Sequence, residues 1–190
     1  NKSLLLLQLL NNLLIFLISF FLGRIINTKI FRNSDFLQSL LIGLPLISYF
    51  IFFLCAMKII HPQNIKNFFY LFSGIIVFLT IKNLKKITLS PGKILADFIS
   101  YKQLLLVIPF IILLIAAILL TLTPPYSRDS LVYHLTVPKL YILKQGFHFI
   151  DGNIYSNFPM NTEMIYLLLL ILGNGIGAKI FHFFSGLLVL

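Results

Sequence analysis

The sequence predicts an all-α polytopic membrane protein with about six transmembrane helices. Hydrophobic residues make up 59% of the 190 residues, charged residues make up only 11%, and the mean hydropathy is +0.99. A soluble domain carries about 25% charged residues, whereas this chain has too few polar side chains to cover its apolar surface. A bilayer must therefore solvate much of the chain.

Six apolar stretches predict the helices, since a spanning helix needs about 20 apolar residues. The stretches are residues 3–23, 36–57, 67–81, 103–123, 164–174 and 176–190. The third is short, but Lys66 and Lys82 flank it and can reach the two interfaces with their long side chains. Thr123-Pro124-Pro125 ends the fourth, because the residue before proline avoids helical geometry. Gly173-Asn174-Gly175 predicts a hairpin between the last two.

Three amides interrupt the first apolar stretch. Gln8, Asn11 and Asn12 lie within residues 3–23, which contain no charge. A polar side chain inside the membrane is stabilised by hydrogen bonds to a neighbouring helix. We therefore expect these amides to face other helices rather than lipid.

The distribution of Lys and Arg predicts the orientation. Loops 24–35 and 82–102 lie on one side and carry eight cations, whereas the opposite side carries six in a longer total sequence. The excess places loops 24–35 and 82–102 in the cytoplasm and loop 124–162 in the periplasm or cell exterior, on the inner or plasma membrane. This topology and anionic lipid headgroups account for the net charge of +10, so no nucleic-acid partner is expected.

Acidic residues concentrate between positions 129 and 163, within the external loop 124–162 and at the start of the fifth predicted span. Asp129, Asp151 and Glu163 are three of only five carboxylates in the chain. Ser127 is a predicted helix cap with Asp129 in the first turn, where a helix dipole favours an anion. The apolar and polar residues that follow predict an amphipathic segment on the membrane, restarted near Pro138.

Two segments carry a resemblance to a known family. Asp-Ser-Leu-Val-Tyr-His-Leu-Thr-Val-Pro-Lys-Leu-Tyr (129–141) and Asn-Phe-Pro-Met-Asn-Thr-Glu-Met-Ile-Tyr (157–166) are similar to the first external loop of bacterial integral-membrane glycosyltransferases. That family has the C-type glycosyltransferase fold, as in protein O-mannosyltransferases and lipid A aminoarabinose transferases. The resemblance covers residues 103–190, and residues 1–102 do not match the usual start of that fold.

The resemblance implies a domain organisation and a reaction. Residues 1–102 become an additional N-terminal segment of three spans, and residues 103–190 become the start of a glycosyltransferase core that continues in a longer protein. The family moves a sugar from a polyprenyl-phosphate carrier to a hydroxyl of a glycan, lipid or protein acceptor on the outer face of the membrane, with inversion. Asp129 matches the position of the family's catalytic base.

Several neighbouring side chains are candidates for substrate binding. They are Arg128, Tyr133, His134, Lys139 and Glu163. The cations suit a carrier phosphate, although they also suit anchoring at the membrane interface. Asp129 and Glu163 each also fit a purely structural role as first-turn acids. The sequence identifies no cofactor with certainty and leaves dependence on a divalent metal undecided, because two separated carboxylates are weak evidence for a metal site.

Two other functional classes fit the same composition. A polytopic transporter or lipid flippase would carry ionisable residues near the centres of its spans, whereas these acids lie in loops or at span ends. A non-catalytic membrane subunit would use Asp129 and Glu163 for assembly alone.

Overall fold

Seven α-helices follow one another in the computed structural model, which describes residues 2–32, 35–83, 101–157 and 160–188. They are α1 (Lys2–Ile26), α2 (Phe36–Ala56), α3 (Pro62–Asn83), α4 (Tyr101–Thr121), α5 (Thr136–Leu143), α6 (Asn161–Leu172) and α7 (Gly175–Leu187). These ranges contain no strand, so the all-α prediction is confirmed.

Three of the described helices are long and apolar enough to cross a membrane. They comprise Lys2–Phe31, which is α1 with a π-helical extension, Phe36–Ala56 and Pro62–Lys82. The third is longer than the predicted stretch 67–81, because Pro62 and the polar residues after it also adopt helical geometry. Ile108–Thr121 and Asn161–Leu172 are shorter apolar helices. The finding is consistent with a membrane protein, and the count of about six spans stays a prediction.

Helices α1 and α2 pack with their backbones in contact. A methyl group placed on Gly23 would overlap the carbonyl of Ser39, and one placed on Gly43 would overlap the carbonyl of Ser19. Small residues permit this approach, which favours helix association inside a membrane. Two glycines therefore fix the geometry of the first helical pair.

The amides of α1 face other helices, as predicted. Asn11 Nδ2 donates to the carbonyl of Leu172 at 3.3 Å, and Asn12 Nδ2 donates to that of Gly177 at 3.1 Å. Tyr70 on α3 donates its hydroxyl to Asn11 Oδ1 at 3.0 Å. Gln8 is fully buried against Gly177, yet its amide makes no hydrogen bond to any described residue. The hydrogen-bond prediction is thus confirmed for Asn11 and Asn12 and wrong for Gln8.

The turn between α2 and α3 lies against the 124–162 loop. Ile60 N donates to the carbonyl of Gln145 at 3.2 Å, and Phe147 N donates to that of Cys55 at 3.1 Å. The tight turn also requires Gly146, where a methyl group would meet Lys58. Both segments therefore occupy the same end of the helices, as the topology prediction requires. The lysine-rich stretch 84–100 of the predicted cytoplasmic loop lies outside the described residues.

Helices α6 and α7 form the predicted hairpin. Asn174 Oδ1 accepts a hydrogen bond from Ile176 N at 3.0 Å and caps α7. Helix α6 packs on α2, α3 and α5, while α7 packs on α1 and α4. The hairpin thus joins the three N-terminal helices to the segment that carries Asp129.

The amphipathic segment restarts earlier than predicted. A π-helical turn spans Ser130–His134, and α5 begins at Thr136, so the break lies at Leu135 and Pro138 is the third residue of α5. A proline is tolerated in a first helical turn, because the N–H that it lacks would have no partner within the helix there. The bend or restart that was predicted near Pro138 therefore lies three residues earlier, at Leu135.

Candidate functional site

A surface cleft of about 510 Å³ opens where α4 ends. Its walls are the last turn of α4, residues 125–135, Tyr166 of α6 and one side of α7. Its polar and ionisable lining residues are Thr121, Tyr126, Ser127, Asp129, Ser130, His134, Tyr166, Lys179 and His182. We call this space the α4–α7 cleft. Asp129 and His134 of the 124–162 loop lie there beside residues of α4, α6 and α7.

Asp129 lies on the wall of the α4–α7 cleft and is exposed. The helical turn that carries it is capped as predicted, since Ser127 Oγ accepts a hydrogen bond from Ser130 N at 3.3 Å. Asp129 itself makes no side-chain cap hydrogen bond to this turn. Its side chain is therefore exposed in the cleft and forms no capping hydrogen bond at the start of this turn.

His134 and Glu163 form a close pair. His134 Nδ1 lies 2.6 Å from Glu163 Oε1. Glu163 is 7% exposed in the first turn of α6, and the His134 side chain is 35% exposed. The carboxylate is buried behind the imidazole, and the imidazole lines the cleft. Two predicted substrate-binding residues are thus brought together across a separation of 29 positions in the chain.

Tyr133 connects the π-helical turn with the second half of the loop. Its ring stacks on that of Tyr155 with centroids 5.0 Å apart, and Asn153 Nδ2 donates to the carbonyl of Val132 at 3.0 Å. Burial raises the pKa of the Tyr133 phenol, and the negative charges of Asp129 and Glu163 raise it further. The phenol therefore stays protonated at neutral pH and lies within electrostatic range of both carboxylates.

Lys179 was not predicted as a site residue, although it lines the cleft. Its Nζ donates to the carbonyls of Leu120 and Thr123 at 2.6 and 2.8 Å and to Thr123 Oγ1 at 2.9 Å. The ammonium also lies 5.4 Å from the centre of the Tyr126 ring. An ammonium has three N–H donors, and here all three donate hydrogen bonds to residues at the end of α4. The positive charge nevertheless remains in the cleft.

His182 and Tyr166 form a second imidazole pair. The Tyr166 hydroxyl lies 2.9 Å from His182 Nδ1, and the Tyr166 ring meets the ring of His134 edge-on at 6.3 Å. Both residues line the cleft. Sequence spacing alone gave no signal for Lys179, Tyr166 or His182, since only the packing of α6 and α7 directs them to the same side as Asp129.

The other two predicted cations lie apart from this group. Arg128 and Lys139 are both exposed, and neither lines the α4–α7 cleft. Their positions suit contact with lipid headgroups or solvent. Within the described part of the chain, no group of three or more His, Cys, Asp or Glu side chains is arranged to hold a metal ion.

Comparison with protein-family models, curated proteins and solved structures finds no match for this chain. The resemblance to membrane glycosyltransferases therefore rests on residues 129–141 and 157–166, together with the span before them. Phe158 and Pro159 of the second segment lie outside the described residues.

Proposed function

We propose that this chain is part of a membrane glycosyltransferase that moves a sugar from a polyprenyl-phosphate carrier to an acceptor hydroxyl on the outer face of the membrane. One observation carries the proposal: Asp129, the residue at the family's base position, lines a cleft of about 510 Å³ at the end of an apolar helix. Such a cleft gives a hydrophilic sugar and a lipid-linked phosphate a common place to react.

Asp129 serves as the base in this reaction. A carboxylate within reach of a hydroxyl can accept its proton. The acceptor oxygen then forms a bond to the anomeric carbon while the bond from that carbon to the phosphate oxygen breaks. The phosphate leaves with the bonding electrons, and the proton of the hydroxyl ends on Asp129.

The leaving phosphate gains negative charge during transfer. A positive charge already held in the site stabilises such a group without rearrangement. Lys179 supplies this charge in the proposal, because its ammonium is fixed in the cleft by α4. Arg128 and Lys139 instead hold the loop near anionic headgroups, since both are exposed outside the cleft.

The experiment that tests the proposal is a transfer assay with the full-length protein in nanodiscs. Radiolabelled polyprenyl-phosphate hexoses serve as donors, and membrane glycolipids, oligosaccharides and peptides serve as acceptors. Product that appears with the wild type and is lost with Asp129→Asn supports the proposal. Substrate-dependent flux across vesicles without product formation would instead indicate a transporter or flippase. Absence of both flux and product, in the wild type as well as in Asp129→Asn, would favour a non-catalytic subunit.

A further inference from the structure

His134 presents one free ring nitrogen to the α4–α7 cleft. Its Nδ1 is engaged by Glu163 at 2.6 Å, so Nε2 is the nitrogen left for a ligand. Placing the ring proton on Nδ1 gives Glu163 a donor, which an ionised carboxylate needs because it can only accept hydrogen bonds. In the neutral imidazole Nε2 is then an acceptor. The pair with Glu163 therefore fixes which kind of group His134 can bind.

Glu163 is placed to hold this tautomer. Only 7% of the residue is exposed, and it lies in the first turn of α6, where the helix dipole stabilises a negative charge. The turn is itself fixed, because Ser48 on α2 donates its hydroxyl to the carbonyl of Asn161. A ring nitrogen whose partner is fixed in this way has a defined direction and a defined hydrogen-bonding role.

Two residues that line the cleft thus offer hydrogen-bond acceptors. One is the carboxylate of Asp129 and the other is Nε2 of His134. A ligand that satisfies both must offer at least two hydrogen-bond donors. A sugar offers several hydroxyls, whereas an ionised phosphate oxygen is an acceptor and cannot donate to an unprotonated nitrogen.

We propose that His134 Nε2 binds a hydroxyl of a sugar substrate and that Glu163 is the positioning residue that holds the imidazole for this contact. The inference rests on the proposed glycosyltransferase function, and it adds sugar recognition beside the proton transfer assigned to Asp129. The hydroxyl belongs either to the donor sugar or to a carbohydrate acceptor. The kinetics of variants at position 134 distinguish these two sources.

The kinetic test compares His134→Phe with His134→Gln in the full-length protein. Phenylalanine keeps a flat ring but has no acceptor, whereas glutamine places an amide oxygen near the position of Nε2. Loss of one hydrogen bond predicts that His134→Phe raises KM about tenfold for the sugar that it contacts. His134→Gln is expected to recover most of that loss. The substrate whose KM changes identifies the source of the hydroxyl, and His61→Phe, at an exposed histidine away from the cleft, is the control.

A second measurement does not depend on turnover. Diethyl pyrocarbonate modifies unprotonated imidazole nitrogens, and peptide mass spectrometry locates the modification at His134. Polyprenyl-phosphate hexoses and methyl hexosides, tested separately, are expected to slow the modification of His134 but not that of His61. Nitrogen-15 NMR of the imidazole is expected to report protonated Nδ1 in the wild type and a changed tautomer ratio in Glu163→Leu.

Each combined outcome decides the inference. Transfer together with sugar protection and a KM increase in His134→Phe supports it. Transfer without protection and without a KM change overturns sugar binding by His134 and leaves the glycosyltransferase proposal intact. Protection without any transfer supports sugar binding by His134 and contradicts the glycosyltransferase proposal. Absence of both transfer and protection overturns both proposals.

Discussion

Lys179 Nζ lies 2.8 Å from the carbonyl oxygen of Thr123 and 2.6 Å from that of Leu120. The last carbonyls of a helix lack their usual partners within that helix. Here Lys179 of α7 adds a hydrogen bond to Leu120 in the last turn of α4 and another to Thr123 just beyond it. A cation at this position also interacts favourably with the negative end of the helix dipole. The same contact joins α4 to the α6–α7 hairpin, and therefore closes one wall of the α4–α7 cleft.

Replacing Lys179 should loosen this wall. Lys179→Met keeps the apolar length of the side chain but removes three hydrogen bonds and the charge. We expect a loss of about 1–2 kcal/mol in unfolding free energy, measured by thermal denaturation in detergent. Lys139→Met, which alters an exposed cation outside the cleft, is the control. Equal stability of the two variants would contradict a capping role for Lys179.

Asp129→Asn should abolish most glycosyl transfer. The amide has nearly the same shape as the carboxylate but is a poor base, and loss of a general base costs about 10²–10⁴ in rate. The initial rate in nanodiscs, with protein amounts matched, measures this effect. Asp151→Asn changes an exposed carboxylate in another turn of the loop, and it should retain full activity. An active Asp129→Asn protein would remove Asp129 as the base.

The same substitution should change the titration of Tyr133. The charge of Asp129 is one cause of the raised pKa of this phenol, so its removal makes the phenolate less unfavourable and lowers that pKa. NMR of ¹³C-labelled tyrosine against pH measures the change, with Tyr133→Phe used to assign the signal. Asp151 is not among the causes of the shift, so Asp151→Asn should leave the titration as it is.

Gly43 should tolerate no larger side chain. Gly43→Val would overlap the backbone of Ser19 on α1, whereas Gly74→Val on α3 meets open space. Both substitutions place the same β-branched residue inside a helix, so their difference isolates the helix contact. We expect Gly43→Val to cost about 1–3 kcal/mol more than Gly74→Val, measured by denaturation in detergent. Similar costs would show that α1 and α2 do not pack closely at this point.

Tyr70→Phe should weaken the contact between α3 and α1 without any loss of ring packing. Only the hydroxyl, which donates to Asn11 Oδ1 at 3.0 Å, is removed. Interhelical hydrogen bonds in membranes contribute about 0.6 kcal/mol on average, so the expected loss is small. A double-mutant cycle with Asn11→Leu measures it, and an interaction energy of zero would argue against this hydrogen bond.

Local sequence signals predicted much of the framework. Apolar stretches gave the positions of α1, α2 and α4, the Gly-Asn-Gly run gave the break between α6 and α7, and Ser127 gave the cap before Asp129. These features depend on neighbouring residues, so a linear sequence is enough to find them. The restart of the amphipathic segment was misplaced because a proline can either break a helix or occupy its first turn.

The composition of the candidate site depended on packing and was only partly predicted. Asp129, His134 and Glu163 were predicted as site residues because polar residues are rare in this chain. The pairing of His134 with Glu163, however, is set by where α6 meets the π-helical turn. Lys179 and His182 lie three residues apart on α7 and therefore share a face, but only the packing of α7 shows that this face borders the cleft. No rule of spacing selects the face that contacts α4.

The hydrogen bonds from Ile60 to Gln145 and from Phe147 to Cys55 have a consequence for biogenesis. A chain that enters the membrane from its N-terminus delivers α2 and α3 before residues 145–147 are synthesised. The backbone groups of Cys55 and Ile60 therefore precede their partners at Gln145 and Phe147 in the order of synthesis. A shortened protein that starts at residue 103 would leave the Gln145 carbonyl and the Phe147 amide without these partners. Transferring the loop into another membrane protein would therefore require transferring the turn between α2 and α3 as well.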